Sequence, residues 1–280
     1  MAAFGLGCDA LWGLSDLTYG SATGTGAAGG SGGLGGQAGM GAAGSGASAG
    51  AGGSGASAGS GGSGGTAGTG GSGPPWVDLT LTIGERPGSD VVGATSDTTV
   101  EADNPTWNFG ATDNFGPDAD PDHIALLRFD LSSLPIGSIA VSAQVELVVC
   151  VCASCEAEAN TVAVYEVLEP WTEGTADHAP GVANYTERSS NSAWTTPGVG
   201  LGSRDASPFA EFDPNVQGQA FFFDLPLELV QQWLDAPGSN FGMSLESVPT
   251  SGLDGICFRS SENTTTESRP LLHLHVQVPG

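Results

Sequence analysis

The sequence predicts an all-β sandwich that begins after Trp76 and stands behind a long tether with no core of its own. Three observations carry that expectation. Downstream of Trp76, apolar and polar residues alternate in short runs, the period of a strand with one buried face. Clusters of Gly, Pro, Asn and Asp separate these runs, which is the punctuation of an all-β sandwich or barrel. Upstream, residues 20–75 are almost wholly Gly, Ala, Ser and Thr. Such a stretch has too little apolar surface to offset the entropy of ordering its backbone, so it is expected to be disordered.

Taken in order, the strand candidates are Ile124–Leu131, Val141–Val151, Thr161–Leu168, Ala220–Asp224, Phe241–Val248, Gly255–Ser260 and Leu271–Val278. The last has the clearest pattern, with Leu272, Leu274, Val276 and Val278 on one face and His273, His275 and Gln277 on the other. By the same period, Val141, Ala143, Val145, Leu147, Val149 and Val151 are expected to point inward. One segment breaks the alternation. In Leu225–Ala236 the residues Leu227, Val230 and Leu234 fall at helical spacing, with Asp224 as a candidate N-cap, Pro226 in the first turn and Gly238 just past the end. This predicts one short helix packed on the sandwich.

The organisation is therefore a leader over residues 1–19, a tether over 20–75 and a folded domain over 76–280. As a flexible coil the tether spans roughly 40 Å root-mean-square. Its Gly61-Gly62-Ser63-Gly64-Gly65 run fits a nucleophile-elbow pattern, but that turn needs a strand before it and a helix after it, and neither is predicted. In the leader, Gly5-Leu6-Gly7-Cys8 resembles the end of a bacterial lipoprotein signal, in which Cys8 would carry the lipid and hold the protein at a membrane. The Met1–Phe4 lead is too short for an export signal, so two readings stand: a start upstream, or an amphipathic leader with a buried thiol.

Charge narrows the partners. The chain carries 31 acidic residues against 6 basic ones, all Arg, for a net charge of −25. Nucleic acid needs its phosphates neutralised by Arg and Lys, so a nucleic-acid partner is excluded. No run of eighteen apolar residues exists, and no helical membrane span is expected.

An ordered series of motifs runs through the folded part. Asp97-Thr98-Thr99-Val100, Asn108-Phe109-Gly110 and Leu127-Arg128-Phe129-Asp130-Leu131 open it, with Leu134-Pro135 following. Val164-Tyr165-Glu166-Val167, Trp171-Thr172-Glu173-Gly174 and Trp194-Thr195-Thr196-Pro197-Gly198 come next. Phe223-Asp224-Leu225 with Val230 and Trp233, then Ser260-Ser261-Glu262 and Arg269-Pro270-Leu271, close it. Over residues 90–278 this series resembles the DNRLRE domain family. The resemblance implies a jelly-roll-like antiparallel β-sandwich of secreted proteins, some of whose members are carbohydrate-binding modules attached to polysaccharide lyases acting on alginate. It thus implies a polysaccharide or cell-surface glycan as partner and an extracellular or cell-surface location. The chain departs from that setting in carrying no catalytic domain, no Lys and a Cys150–Cys155 insertion outside the pattern.

Several residues are candidates for chemistry. Asp113, Asp118, Asp120 and Asp122 place carboxylates at near-alternate positions of one loop, a way of collecting oxygen ligands for calcium; the competing expectation is a solvated acidic hairpin. Among the aromatics Trp107, Trp171, Tyr185 and Trp194, Trp171 is expected in the core. Tyr185 and Trp194 lie in a polar stretch with Arg188 and Arg204, and with Trp107 they form the candidate sugar site. Cys150 and Cys152 share a strand face about 7 Å apart, too far to bond to each other. Cys155 is expected to pair with one and Cys257 with the other; a four-thiolate zinc site is the alternative. Ser, His and acidic residues form no recognisable nucleophile–base series, and a non-catalytic protein is expected. Its alternative role is a structural or adhesion module making protein contacts.

Overall fold

A computed structural model describes residues 76–87, 93–119, 122–151, 161–214, 216–248 and 255–280. The leader, the tether, Cys8, Asp120, Cys152 and Cys155 lie outside the described residues.

Nine strands build the sandwich: β1 (Trp76–Gly84), β2 (Thr95–Glu101), β3 (Asp122–Phe129), β4 (Ile139–Val148), β5 (Thr161–Glu166), β6 (Ala210–Phe212), β7 (Ala220–Asp224), β8 (Met243–Val248) and β9 (Leu271–Pro279). A helix, α1 (Leu227–Asp235), follows β7. The first sheet runs β1-β9-β4-β7 and the second β6-β5-β8-β3-β2, with Asp118–Ala119 added as a short strand against β3. All these pairings are antiparallel. The chain passes between the sheets after β1, β3, β4, β6, β7 and β8, which is jelly-roll connectivity. No helix among the described residues is long and apolar enough to cross a membrane.

Period-two alternation sets the core. Ile83, Leu272, Leu274, Val276, Val145 and Leu147 from the first sheet face Ala125, Leu127, Phe129, Val162, Val164, Met243 and Leu245 from the second. One detail of the alternation fails. His275 pairs with Ser142 but Val276 pairs with Ala140, so Val141 is the extra residue of a β-bulge and is turned outward, 39% exposed. A bulge reverses the faces on its far side, which sequence alternation alone cannot register. Val151, beyond the end of β4, is likewise 49% exposed and not inward.

The helix packs Leu229, Val230, Trp233 and Leu234 inward and leaves Leu227 exposed. Asp224 does not cap it. Pro226 takes that position without a side-chain bond, while the Asp224 carboxylate accepts a hydrogen bond from Gln144 Nε2 at 2.8 Å. A second core lies on the outer face of the second sheet. There the long connection after β5 lays Val167, Trp171, Ala183, Trp194 and Val199 over Val100, Ile124 and Leu126. That face is therefore covered, whereas the outer face of the first sheet keeps His273, His275 and Gln277 only partly buried.

Candidate functional site

Against the edge strand β2 lie the short extended segments Trp107–Asn108 and Asn114–Phe115, and this side of the molecule carries an open cleft. Thr99 and Glu101 from β2, the segment 109–118, His123 at the start of β3, Asp177–His178 and Gly255–Cys257 enclose an open cleft of about 750 Å³. Two constraints fix its wall. The Cys150–Cys257 disulfide ties the Gly255–Cys257 side to the end of β4. Gly116 donates its N–H to Thr99 Oγ1 at 3.1 Å and lies so close to Ile256 that a Cβ there would sit 1.8 Å from its carbonyl oxygen. Only glycine permits that approach.

The lining is rich in acceptors. Glu101, Asp113, Asp118 and Asp177 contribute carboxylates, Asn114 an amide, and His123 and His178 imidazoles. No guanidinium is among the described lining residues, but Arg259 Nη1 donates to Oδ1 of the lining Asn114 at 3.2 Å. The His178 ring stands edge-on to Phe109 with centroids 4.9 Å apart, and its Nδ1 contacts the Asp177 carboxylate. At the cleft's rim His123 lies between two acids, with Nε2 3.2 Å from Asp103 and Nδ1 4.0 Å from Glu101.

Three carboxyl groups meet where β2 joins two loops, Asp97 buried and Glu173 and Glu262 partly buried. One ligand oxygen from each of Asp97, Glu173 and Glu262 lies within 4.8 Å of the others. Asp97 is only 1% exposed; burial, and then Glu262, push its carboxyl well above the ordinary range, against hydrogen bonds from Ser261. Glu173 is pushed from 4.5 to about 7, chiefly by burial and also by Glu262 and Glu85, although the Asp97 N–H and Arg128 oppose the change. Burial also raises Glu262. The triad joins β2 to two loops, since Glu173 accepts from Asp97 N and Asp97 Oδ2 accepts from Ser261 N at 2.8 Å. Asn108, fully buried, braces the same loops by donating to the carbonyls of Glu173 and Ala183 at 2.6 and 2.9 Å.

The residues expected to form a sugar platform are elsewhere and do not form one surface. Trp194 is 4% exposed, part of the second core, with Nε1 donating to Asn184 O at 2.9 Å; its flat face is used for packing. Tyr185 is half-buried against that core, its ring over Gly198. Arg188 donates to Pro170 O at 2.7 Å and pairs with Glu169. Arg204 stacks 3.7 Å above the Tyr165 ring and donates to Glu246 at 2.7 Å. Trp107 is half-buried in a short pairing with Pro180. Both arginines thus answer internal acceptors, as charges entering a poorly solvated layer must. Trp171 is in the core, as expected.

Of the calcium candidates, Asp113 and Asp118 line the cleft. Asp122 is exposed at the start of β3, opposite Ala119, and is not among the lining residues. The loop therefore does not gather its described acids at one point; Asp118–Ala119 pairs as a strand, and strand residues alternate faces. Of the thiols, Cys150 bonds Cys257, one of the pairings the spacing allowed, and this removes both from a four-thiolate set.

The buried triad escaped sequence reading although each member stands inside a quoted motif: Asp97 before two threonines, Glu173 after Trp171-Thr172, and Glu262 after two serines. An acid recurring within otherwise apolar or hydroxyl-bearing motifs was the available signal. Glu101 and His123 had none, because they meet only through strand register. Comparison with protein-family models gives no match to this chain, and a search of curated proteins finds none similar to it.

Proposed function

We propose that the β-sandwich is a non-catalytic polysaccharide-binding module of an exported or cell-surface protein, and that its cleft takes neutral or amino-bearing sugars rather than uronates. The observation that carries this reading is a 750 Å³ cleft whose described lining residues offer carboxylates, an amide and imidazoles but no guanidinium. Sugar hydroxyls donate to carboxylates in charge-assisted hydrogen bonds, the stronger kind. A uronate carboxylate brought within about 4 Å of such a wall meets roughly 1–4 kcal/mol of repulsion for each acid it faces. The jelly-roll connectivity supports membership of the DNRLRE type, since that is the architecture the motif series implies. In the same reading a lipid on Cys8 holds the protein at the cell surface.

One observation favours a second reading, a protein-adhesion module. Phe222 on β7 is 41% exposed, 6.1 Å from the His273 ring, on the uncovered face of the first sheet. The two readings separate in a retention assay on a neutral glucan, deacetylated chitin and alginate. The double variant Asp113→Asn/Asp118→Asn is expected to lose retention on the first two by about tenfold, the effect of about 1.4 kcal/mol, while Phe222→Ala keeps it. Retention on alginate equal to that on the glucan, or loss with Phe222→Ala alone, overturns the cleft assignment.

A further inference from the structure

We infer that Glu101, Asp103 and His123 form a binding site for a borderline divalent transition-metal ion of the zinc type at the rim of the cleft. The inference stands on these three side chains and does not require the sugar reading. Glu101 and His123 are directly opposed partners at the last register position of the β2–β3 pairing, which places their Cβ atoms about 5 Å apart on one face. Asp103 arrives from the turn that follows. That turn is held by Ala102 N donating to Asp122 O at 2.9 Å and by Trp107 N donating to Asn104 O at 2.9 Å. Asn104 Nδ2 also donates to Glu101 Oε2 at 2.9 Å, the kind of outer contact that orients a ligating carboxylate.

One ligand atom from each of the three side chains lies within 4.8 Å of the others. Tetrahedral zinc with bonds of about 2.1 Å sets its ligands roughly 3.4 Å apart. The Asp103 side chain, half exposed, is free to make up the difference. The imidazole supplies the chemical argument. Each of its nitrogens faces a carboxylate, yet a neutral ring has one N–H to offer and one lone pair. On a neutral ring one carboxylate is opposed to that lone pair. A proton or a metal ion at that nitrogen relieves the opposition while the other nitrogen keeps its N–H for the second carboxylate, and zinc titration separates the two.

The donor set also selects the metal. Calcium takes oxygen ligands, whereas imidazole with carboxylate suits zinc and its neighbours. Three protein ligands leave one position of a tetrahedral ion open. Glu101 and His123 both line the cleft, so that position is available to water or to a hydroxyl of a molecule held there. Asp118 lies opposite His123 in the short pairing on β3, adding negative charge that concentrates cations at the rim.

The test uses the full chain, expressed without a histidine tag and stripped with a chelator. Zinc is titrated by calorimetry, and cobalt by its visible absorption. One saturable zinc site per chain is expected. His123→Ala and Glu101→Gln should weaken it by more than about tenfold and Asn104→Ala by up to about tenfold, with His178→Ala unchanged. To keep the test independent of any folding change in a variant at the sheet end, His123 ring resonances of the unaltered protein are followed as well, and they should shift on zinc addition. Excess calcium should not displace the ion. Absence of saturable binding, unmoved His123 resonances, undiminished affinity in a folded His123→Ala, loss with His178→Ala alone, or displacement by calcium would each overturn the assignment.

Discussion

Replacing Glu173 by Gln probes the buried carboxyl triad with the smallest possible change. The amide matches the carboxyl in shape, and its Oε1 can still accept the Asp97 N–H, but it cannot ionise. Folding moves the Glu173 carboxyl from 4.5 to about 7. The folded state therefore holds this proton more tightly than the unfolded chain does. Its contribution to stability is complete below about pH 4.5 and is lost as pH rises through 7. At full effect that displacement corresponds to about 3.4 kcal/mol. Because the carboxyl keeps partial contact with water, about 1–2 kcal/mol is the realistic share. Asp97, Glu262, Glu246 and Glu166, all raised chiefly by burial, act in the same sense. Glu146 and Glu169 oppose them. Burial of each is outweighed, for Glu146 by bonds from His273 and Arg86 and for Glu169 by bonds from Ser203 and Thr195. Thermal unfolding followed by near-ultraviolet circular dichroism, in chelator, at pH values from about 5 to 8, isolates the Glu173 share as the difference between the two proteins. Glu173→Gln should gain on the unaltered protein as pH rises, by about 2–8 °C in Tm near pH 8 for a domain of this size. A variant that instead becomes relatively less stable toward pH 8 would show that the ionised carboxylate supports the fold, and the reasoning would fail.

Other consequences of the structure are as direct. The Cys150–Cys257 bond closes a span of 107 residues, so replacing both by Ser should lower unfolding free energy by about 4–5 kcal/mol in denaturant titration. Leu127→Ala, at a fully buried position between the sheets, should cost about 3–5 kcal/mol in the same assay. Gly116→Ala must displace the Ile256 carbonyl; a loss of about 1–3 kcal/mol is expected by analogy with overpacking, with reduced sugar retention as the cleft wall shifts. Trp194→Phe should lower Tm through the lost Asn184 bond and packing while leaving sugar retention of the folded protein unchanged.

What local sequence determined is what depends on the sign and period of neighbouring side chains. The inward set of β9, Leu272, Leu274, Val276 and Val278, follows from a two-residue repeat that any strand must obey, and all four are buried. The helix after β7 was legible because Leu227, Val230 and Leu234 recur at its period, although of these only Val230 and Leu234 are buried. Net charge alone argued against nucleic acid as a partner. Where prediction failed, the cause lay in another strand. The bulge that exposes Val141 is defined only by the pairing of β4 with β9, and Trp194 is buried only because the connection after β5 folds over the second sheet. The cleft and the buried triad likewise depend on contacts across the chain, with Asp97 meeting Glu173 across 76 positions and Ser261 across 164. A side chain's burial, and hence the protonation of its acid or the use of its ring, is a property of everything packed around it. Sequence supplies the chemical groups and the local period; tertiary contact decides which of those groups are kept from water, and that decides what they can do.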